Sequence, residues 1–347
     1  MHQENRNFGL DLARAAAISL VLLAHFVKKI DFLGFWGVEL FFSLSGFLIG
    51  GILWRDLVKP NQVNLKHTFN FWLRRWYRTL PNYYLFLLIM IVFHQFVTAD
   101  FKSYNAVFSS LWFGQNFLTR DASFFGVSWS LCIEEWFYVV FPLLLLTGNQ
   151  LGLKYHRLMI AAAGFLILFS VIVRFYLMNH DAAAGMRAIT LARLDAIVYG
   201  VLVAYLSNEV FRKKSVHMFL LALGIVGLFM SVGLFKRSES INEFYVLMLA
   251  PMSCALILPA LTYLSFSKSR LSVVKKMIEN VSLWSYSIYL CHIPVLITCY
   301  VIMDPFRDSV IGNVISKIIG LFFTFFIASL LFKKFEQPIL RLRPKSL

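Results

Sequence analysis

The chain has 347 residues, 59% of them hydrophobic and only 15% charged, against about 25% charged in ordinary soluble domains, and its mean hydropathy is +0.70. Ten helices of ~20 apolar residues would use nearly all of that apolar stock, and no soluble core of this size hides so much apolar surface, so the class is an integral membrane protein. A net charge of +15 would suggest nucleic acid in a soluble chain; here it reads first as a topology signal, and no nucleic-acid partner is expected.

Apolar runs taken in order predict ten spans, at 9–28, 35–54, 80–98, 129–147, 157–178, 189–207, 216–235, 244–266, 282–303 and 310–332. A further apolar stretch around Trp112, within 99–128, suits an interfacial or re-entrant helix. The expected fold is therefore all-α, a polytopic membrane helix bundle. It forms one membrane domain over 1–347, with no internal repeat, linker, low-complexity tail or removable signal peptide. Cys132, Cys254, Cys291 and Cys299 lack CxxC or CxxH spacing and the histidines do not cluster, so neither a metal centre nor a disulfide framework is expected. With the N-terminus inside, 21 Lys and Arg fall on inner segments. Eight fall on outer ones: Lys28, Lys29, Lys102, Arg120, Arg187, Lys236, Arg237 and Arg307. That bias puts both termini in the cytoplasm. Arg14, Arg174, Arg193 and Lys317 fall inside spans.

An ionisable side chain in a span costs ~2.5–3.5 kcal/mol on insertion scales, which makes each a functional candidate. The first span carries Arg14 and His25, eleven residues apart. At ~100° per residue they share a helix face, ~16 Å apart along the axis. One reading is a cationic anchor with an acid–base group further out; the other is an Asp11–Arg14 structural pair and an interfacial histidine. The second span opens with Glu39, expected on the outer side near the depth of His25, and Ser43, Ser45 and Gly46 allow close helix approach. Arg74, Arg75 and Arg78 precede the third span, where clustered guanidinium groups suit phosphate and equally suit positive-inside anchoring with interfacial aromatics. The sharpest segment is Val127–Tyr138, in which Ser128 and Trp129 precede adjacent acids Glu134 and Glu135. Adjacent positions diverge by ~100°, so the two acids cannot share a pocket; one can polarise a histidine while the other caps or pairs with a buried arginine. Arg193 and Asp195 read as an internal salt bridge in the sixth span, and His292 as a histidine hydrogen-bonded inside the bundle.

Together these motifs resemble the acyltransferase family 3 membrane proteins, bacterial O-acyltransferases of extracytoplasmic glycans. The resemblance runs in order through Leu10-Asp11 with Arg14 and His25, Gly37 to Phe42 with Ser45 to Ile49, and Arg75 with Arg78. It continues through Ser128 to Leu131 with Glu134-Glu135 and Phe137-Tyr138, then Arg193 to Ala196, Ser285 to Leu290 with His292, and Glu336-Gln337-Pro338. Glu39 stands where aspartate is commoner, and Cys132 and Trp136 where Ser and Gln are frequent. The resemblance implies a multi-pass protein of the bacterial cytoplasmic (inner) membrane that moves an acyl group, acetyl by default, from cytoplasmic acyl-CoA to a hydroxyl of a cell-surface or lipid-linked glycan such as O-antigen or exopolysaccharide. His25 matches the family's essential histidine and Arg14 its partner, while Arg75 and Arg78 match the pair associated with the coenzyme A side; Arg14 is expected to bind the coenzyme deeper in the bundle. Acyl-CoA is then a donor co-substrate, and no permanently bound cofactor is expected. Many relatives carry an appended extracytoplasmic hydrolase-like domain; this chain, ending at Leu347, is expected to act alone or with a separate partner.

The mechanism expected on this basis has His25 as general base, oriented by Glu135 or Glu134, with a covalent acyl-histidine route as the competitor. Glu39, Ser128, Trp129, Arg193, Asp195 and His292 are expected to support the site or face the substrate. The opposing class is a polysaccharide or lipid-linked sugar transporter or flippase, since buried charges also line transport paths. The chain lacks the inverted repeat and the paired Gly/Pro-broken helices frequent in transporters.

Overall fold

A computed structural model describes residues 6–96, 104–119, 125–180, 185–236, 240–265, 272–303 and 309–345. Each of the ten predicted spans falls on a helix: α1 Phe8–Phe26, α2 Leu33–Leu53, α3 Leu65–Phe96, α5 Trp129–Gln150, α6 Tyr155–Asn179, α7 Asp195–Glu209, α8 Lys214–Phe235, α9 Ser240–Leu261, α10 Ser272–Ile302 and α11 Val310–Leu331. A short α4 (Tyr104–Leu111) and a terminal α12 (Gln337–Arg341) complete the set. Among the described residues there is no strand, and eight helices are long and apolar enough to cross a membrane. The chain is a polytopic helical bundle. Of the basic residues in the sidedness argument, Lys102, Arg120, Arg237, Lys268, Arg270 and Arg307 lie outside the described residues.

Two predicted spans differ in kind from the other eight. Helix α3 is 32 residues long with Pro81 inside it, and its first third is polar because it carries the arginine cluster. Helix α7 starts at Asp195, six residues after the predicted span begins, and has 15 residues. At ~1.5 Å per residue it is ~22 Å long, short of the ~30 Å hydrocarbon core. The residues before it are irregular yet buried: Thr190 N donates to Asn116 O (2.7 Å) and Leu191 N to Phe117 O (3.4 Å). Non-helical backbone at membrane depth is tolerated only where the protein satisfies it, and here a second irregular segment does so. That partner follows α4, which ends at Leu111; Trp112 lies beyond the helix, and Phe113 takes a φ of 60°. The helix expected around Trp112 is thus shorter and earlier than the apolar stretch suggested.

Small residues set the helix spacing. A Cβ on Gly46 of α2 would strike the carbonyl of Ile197 on α7, and one on Gly200 of α7 would strike the Ser43 carbonyl, so these two helices touch backbone to backbone. Helices α8 and α9 meet in the same way, Gly224 facing the Ser253 carbonyl at 2.7 Å. The start and end of the described chain share one end of the bundle. Asn7 caps α1 and also donates to Thr262 O after α9 (2.7 Å), and Asn70 near the start of α3 donates to Lys345 O (3.2 Å).

Candidate active site

A cavity of about 370 Å³ opens between α1, α2, α3, α5 and α10. At the bundle end that holds both described termini, five guanidinium groups line it: Arg14, Arg74, Arg75, Arg78 and Arg343. Helical spacing explains the α3 contribution, because residues three and four apart share a face. Carboxylates are scarce there. Arg14 approaches Asp11 at 3.9 Å, but Asp11 is already held by Arg6 (2.6 Å) and by the Ser282 hydroxyl (2.6 Å). The Nε of Arg75 is buried with no acceptor. Partial burial, with Arg74 and Arg78 alongside, lowers the pKa of Arg343 from its ordinary value. Cations crowded in this way are relieved by an anion, and the fork geometry of arginine matches phosphate oxygens.

Beyond the arginines the cavity turns to hydroxyls and one acid. Glu134 of α5 lines it, accepting a long bond from the Tyr138 hydroxyl (3.4 Å), and Tyr138 in turn meets the Ser45 hydroxyl at 2.6 Å. Glu135 sits one position round the helix, buried and directed at Thr79 and Arg75 of α3. Nearby, Glu336 accepts from Ser287 (2.9 Å) and Asn82 (2.9 Å). It ends a π-helical turn, Phe332–Glu336, which carries the acid into the bundle and ties α3, α10 and the end of α11 together.

Away from the arginines the cavity is lined by Tyr289, whose hydroxyl meets that of Ser130 at 2.6 Å and donates to Val127 O at 2.9 Å. Behind Tyr289 lie two imidazoles. His292 is fully buried, with its ring centroid 5.8 Å from that of Tyr289 and 4.9 Å from that of His25, the two imidazoles meeting edge to face at 68°. Each ring's Nδ1 faces a backbone carbonyl of its own helix: Val21 O for His25 (2.8 Å) and Tyr289 O for His292 (2.7 Å). A carbonyl only accepts, so Nδ1 carries the hydrogen in both neutral rings and each Nε2 keeps its lone pair. Nε2 of His292 is buried and has no partner, whereas His25 is solvent-exposed in the last turn of α1.

Several sequence expectations are redrawn by this geometry. Neither Glu134 nor Glu135 bonds His25: Glu134 faces the cavity and Glu135 faces α3, so the neighbour of His25 is a second histidine. Arg193 and Asp195 do not pair with each other. Arg193 precedes α7 and reaches back to α2, where it bonds Glu39 and the Leu247 carbonyl (2.7 Å). Asp195 opens α7 and turns toward α6, taking a bidentate bond from Arg174 (2.8 Å for each oxygen). All four of these side chains are fully buried, and Glu39 ties α2 to the segment before α7. Ser128 accepts from Gln115 (2.8 Å) and donates to Phe125 O (2.7 Å), fixing the turn before α5. The Trp129 ring stands 6.1 Å from Phe42 and 5.0 Å from the Arg187 guanidinium. Arg14 lines the cavity and His25 stands beyond it. Arg343 and Arg187 belong to the two ends of this site and carried no local signal, being basic residues in loops.

A family profile described as an acyltransferase domain, that of acyltransferase family 3, matches residues 7–333. The chain is 26% identical over 361 residues to the peptidoglycan O-acetyltransferase OatA of Listeria monocytogenes, covering 95% of this chain and 55% of that protein. It is 34% identical over 179 residues to a protein named "Putative peptidoglycan O-acetyltransferase YrhL" of Bacillus subtilis, covering 48% and 27%. It is 28% identical over 211 residues to a "Putative O-acetyltransferase" of Staphylococcus aureus, covering 57% and 34%. The chain therefore spans between about a quarter and about half the length of these curated relatives. No solved structure matches.

Proposed function

Because the chain belongs to acyltransferase family 3, we propose that it is a membrane O-acetyltransferase that passes an acetyl group from acetyl-CoA, bound at the arginine end, to a glycan hydroxyl arriving at the His25 end. The observation that carries this reading is the layout of the cavity: five arginines at one end, and a tyrosine backed by two imidazoles at the other. The arginine end is assigned to the cytoplasm by the excess of basic residues on that side. The proposed location is the bacterial inner membrane, with the acceptor outside.

The pyrophosphate and ribose phosphate of the donor would be held by Arg14, Arg74, Arg75, Arg78 and Arg343 through charge-assisted bonds. The pantetheine arm would run past Glu134, Tyr138 and Ser45, whose acceptors and donors suit its amides. The thioester would then lie at Tyr289, in reach of His25. Nε2 of His25 takes the hydroxyl proton as the acceptor oxygen attacks the thioester carbonyl, and the new C–O bond gives a tetrahedral intermediate. Collapse breaks the C–S bond, and the departing thiolate receives the proton from the His25 imidazolium, leaving an acetyl ester and free coenzyme A. General-base help of this kind contributes typically 10²–10⁴-fold. The acceptor class proposed is an extracytoplasmic glycan: peptidoglycan, as in the names of two relatives, O-antigen or another exopolysaccharide.

The test is donor kinetics in proteoliposomes. Arg75→Gln with Arg78→Gln should raise the KM for acetyl-CoA at least about tenfold while leaving the acceptor KM in place. An unchanged acetyl-CoA KM would remove the donor site from this cavity. Exchange of labelled coenzyme A into acetyl-CoA without acceptor would identify an acyl-histidine intermediate in place of direct transfer.

A further inference from the structure

Arg187 occupies the turn Met186–Ala188, entered through Gly185 with its φ of 88°. It stands at the His25 end of the bundle. Its Nη2 donates to Gly34 O at 3.3 Å, and a Cβ on Gly34 would meet the Cβ of Ala24, the residue before His25, at 2.8 Å. The guanidinium lies over two rings, 4.7 Å from the centroid of Phe35 and 5.0 Å from that of Trp129. Its Nε is buried with no acceptor.

Among the described residues three arginines, Arg174, Arg187 and Arg193, sit in this half of the molecule, and of these Arg187 alone lacks an acid. Arg174 is paired with Asp195 and Arg193 with Glu39. Among the described residues no carboxylate lies within ion-pairing distance of Arg187. The acids whose fields reach it are Glu39, already taken by Arg193, and Glu243. A guanidinium withdrawn from water with donors unmet is costly unless an anion satisfies it. A guanidinium laid over rings still bonds through its edge, and that edge is the planar fork that grips a carboxylate or phosphate. Cation–π contacts hold the fork in place before any ligand arrives.

We propose that Arg187, held against Phe35 and Trp129, is the receptor for an anionic group on the acceptor sugar, so that the protein acts on acidic rather than neutral glycans. This rests on the reading that the acceptor arrives at the His25 end. The anion is a carboxylate or a phosphate, and the two sources are separated in the test.

Purified full-length protein in detergent is titrated with glucuronic acid, with its methyl ester and with glucose 1-phosphate, following tryptophan fluorescence; acetyl-CoA binding is measured on the same preparation. Wild type is expected to bind the acid, the phosphate or both at least tenfold more tightly than the neutral ester, and the tighter of the two names the source. Arg187→Gln should bring the ratio close to one with an unchanged melting temperature, and Arg187→Lys should keep part of the preference. Equal affinities or no sugar binding in the wild type, or a ratio unchanged in Arg187→Gln, overturns the proposal. The wild-type ratio decides even if Arg187→Gln does not fold. If the anion preference is missing while acetyl-CoA still binds, only this inference fails; if acetyl-CoA does not bind, the proposed function fails with it.

Discussion

Two backbone carbonyls set the chemistry of the imidazole pair, because each occupies an Nδ1 and leaves an Nε2 lone pair on the other side of the ring. The rings lie eleven residues beyond Arg14 on α1 and five beyond Ser287 on α10, so their meeting depends on two distant helices. Sequence spacing located His25 on the arginine face, but it could not show that His292 is its neighbour or that the α5 acids turn elsewhere. A helix position fixes an azimuth only relative to its own axis, and which neighbour it meets is decided by the packing. The buried ion pairs make the same point: Arg193 and Asp195 are two residues apart, yet each takes a partner from a different helix. Removing one member of a buried pair strands a charge, at ~3–5 kcal/mol. Glu39→Ala should therefore lower the melting temperature in detergent sharply, whereas Arg55→Ala, an exposed side chain paired with the adjacent Asp56, should leave it within a degree or two. A Glu39→Ala protein as stable as wild type would contradict the assigned pairing.

At the scale of elements, the polar ends of α3 and α11 and the brevity of α7 position the site. The ten helices were legible because apolar runs of ~20 residues leave few alternatives. The start of α7 was not: residues 189–194 are as apolar as a helix, and their irregular backbone is stable only because the segment after α4 accepts its N–H groups. The crossing of α2 and α7 rests on Gly46 and Gly200, each facing the other helix's backbone. Gly200→Val should prevent accumulation of folded protein, measured as monodisperse material after detergent extraction. Gly51→Ala, where a Cβ meets nothing within 4 Å, should be neutral or slightly stabilising, since alanine is the better helix former by ~0.5–1 kcal/mol. The π turn that ends at Glu336 gives a parallel expectation. Glu336→Ala removes the acceptor that Asn82 and Ser287 share, at ~1–3 kcal/mol, and should weaken acetyl-CoA binding along with stability. Full donor affinity in that variant would show that the tie does not position the arginine cluster.

For the whole molecule, we read the +15 charge as sidedness plus two cationic groups, the arginines lining the cavity and the proposed anion receptor Arg187. The sidedness is directly testable: Lys345→Cys beside Asn70, and Lys29→Cys after α1, are probed with a membrane-impermeant maleimide, the native cysteines of the described chain being buried. Labelling of Lys29→Cys in intact cells and of Lys345→Cys only after lysis is expected; the reverse pattern would invert the proposed direction of transfer. Arg14, Arg75 and Arg78 were legible as a cluster, whereas Arg187 and Arg343 became candidates only when the fold brought them to the site, since a basic loop residue looks alike wherever it points. The proposed reaction carries an acetyl group across the bundle to a hydroxyl deprotonated at His25. It is tested most directly by proteoliposomes with acetyl-labelled acetyl-CoA on the arginine side and an acidic glycan on the other, comparing wild type with His25→Asn at matched amounts of folded protein. Labelled, alkali-sensitive ester on the glycan in wild type, reduced at least about 100-fold in His25→Asn, is the predicted result; undiminished transfer by His25→Asn would contradict it.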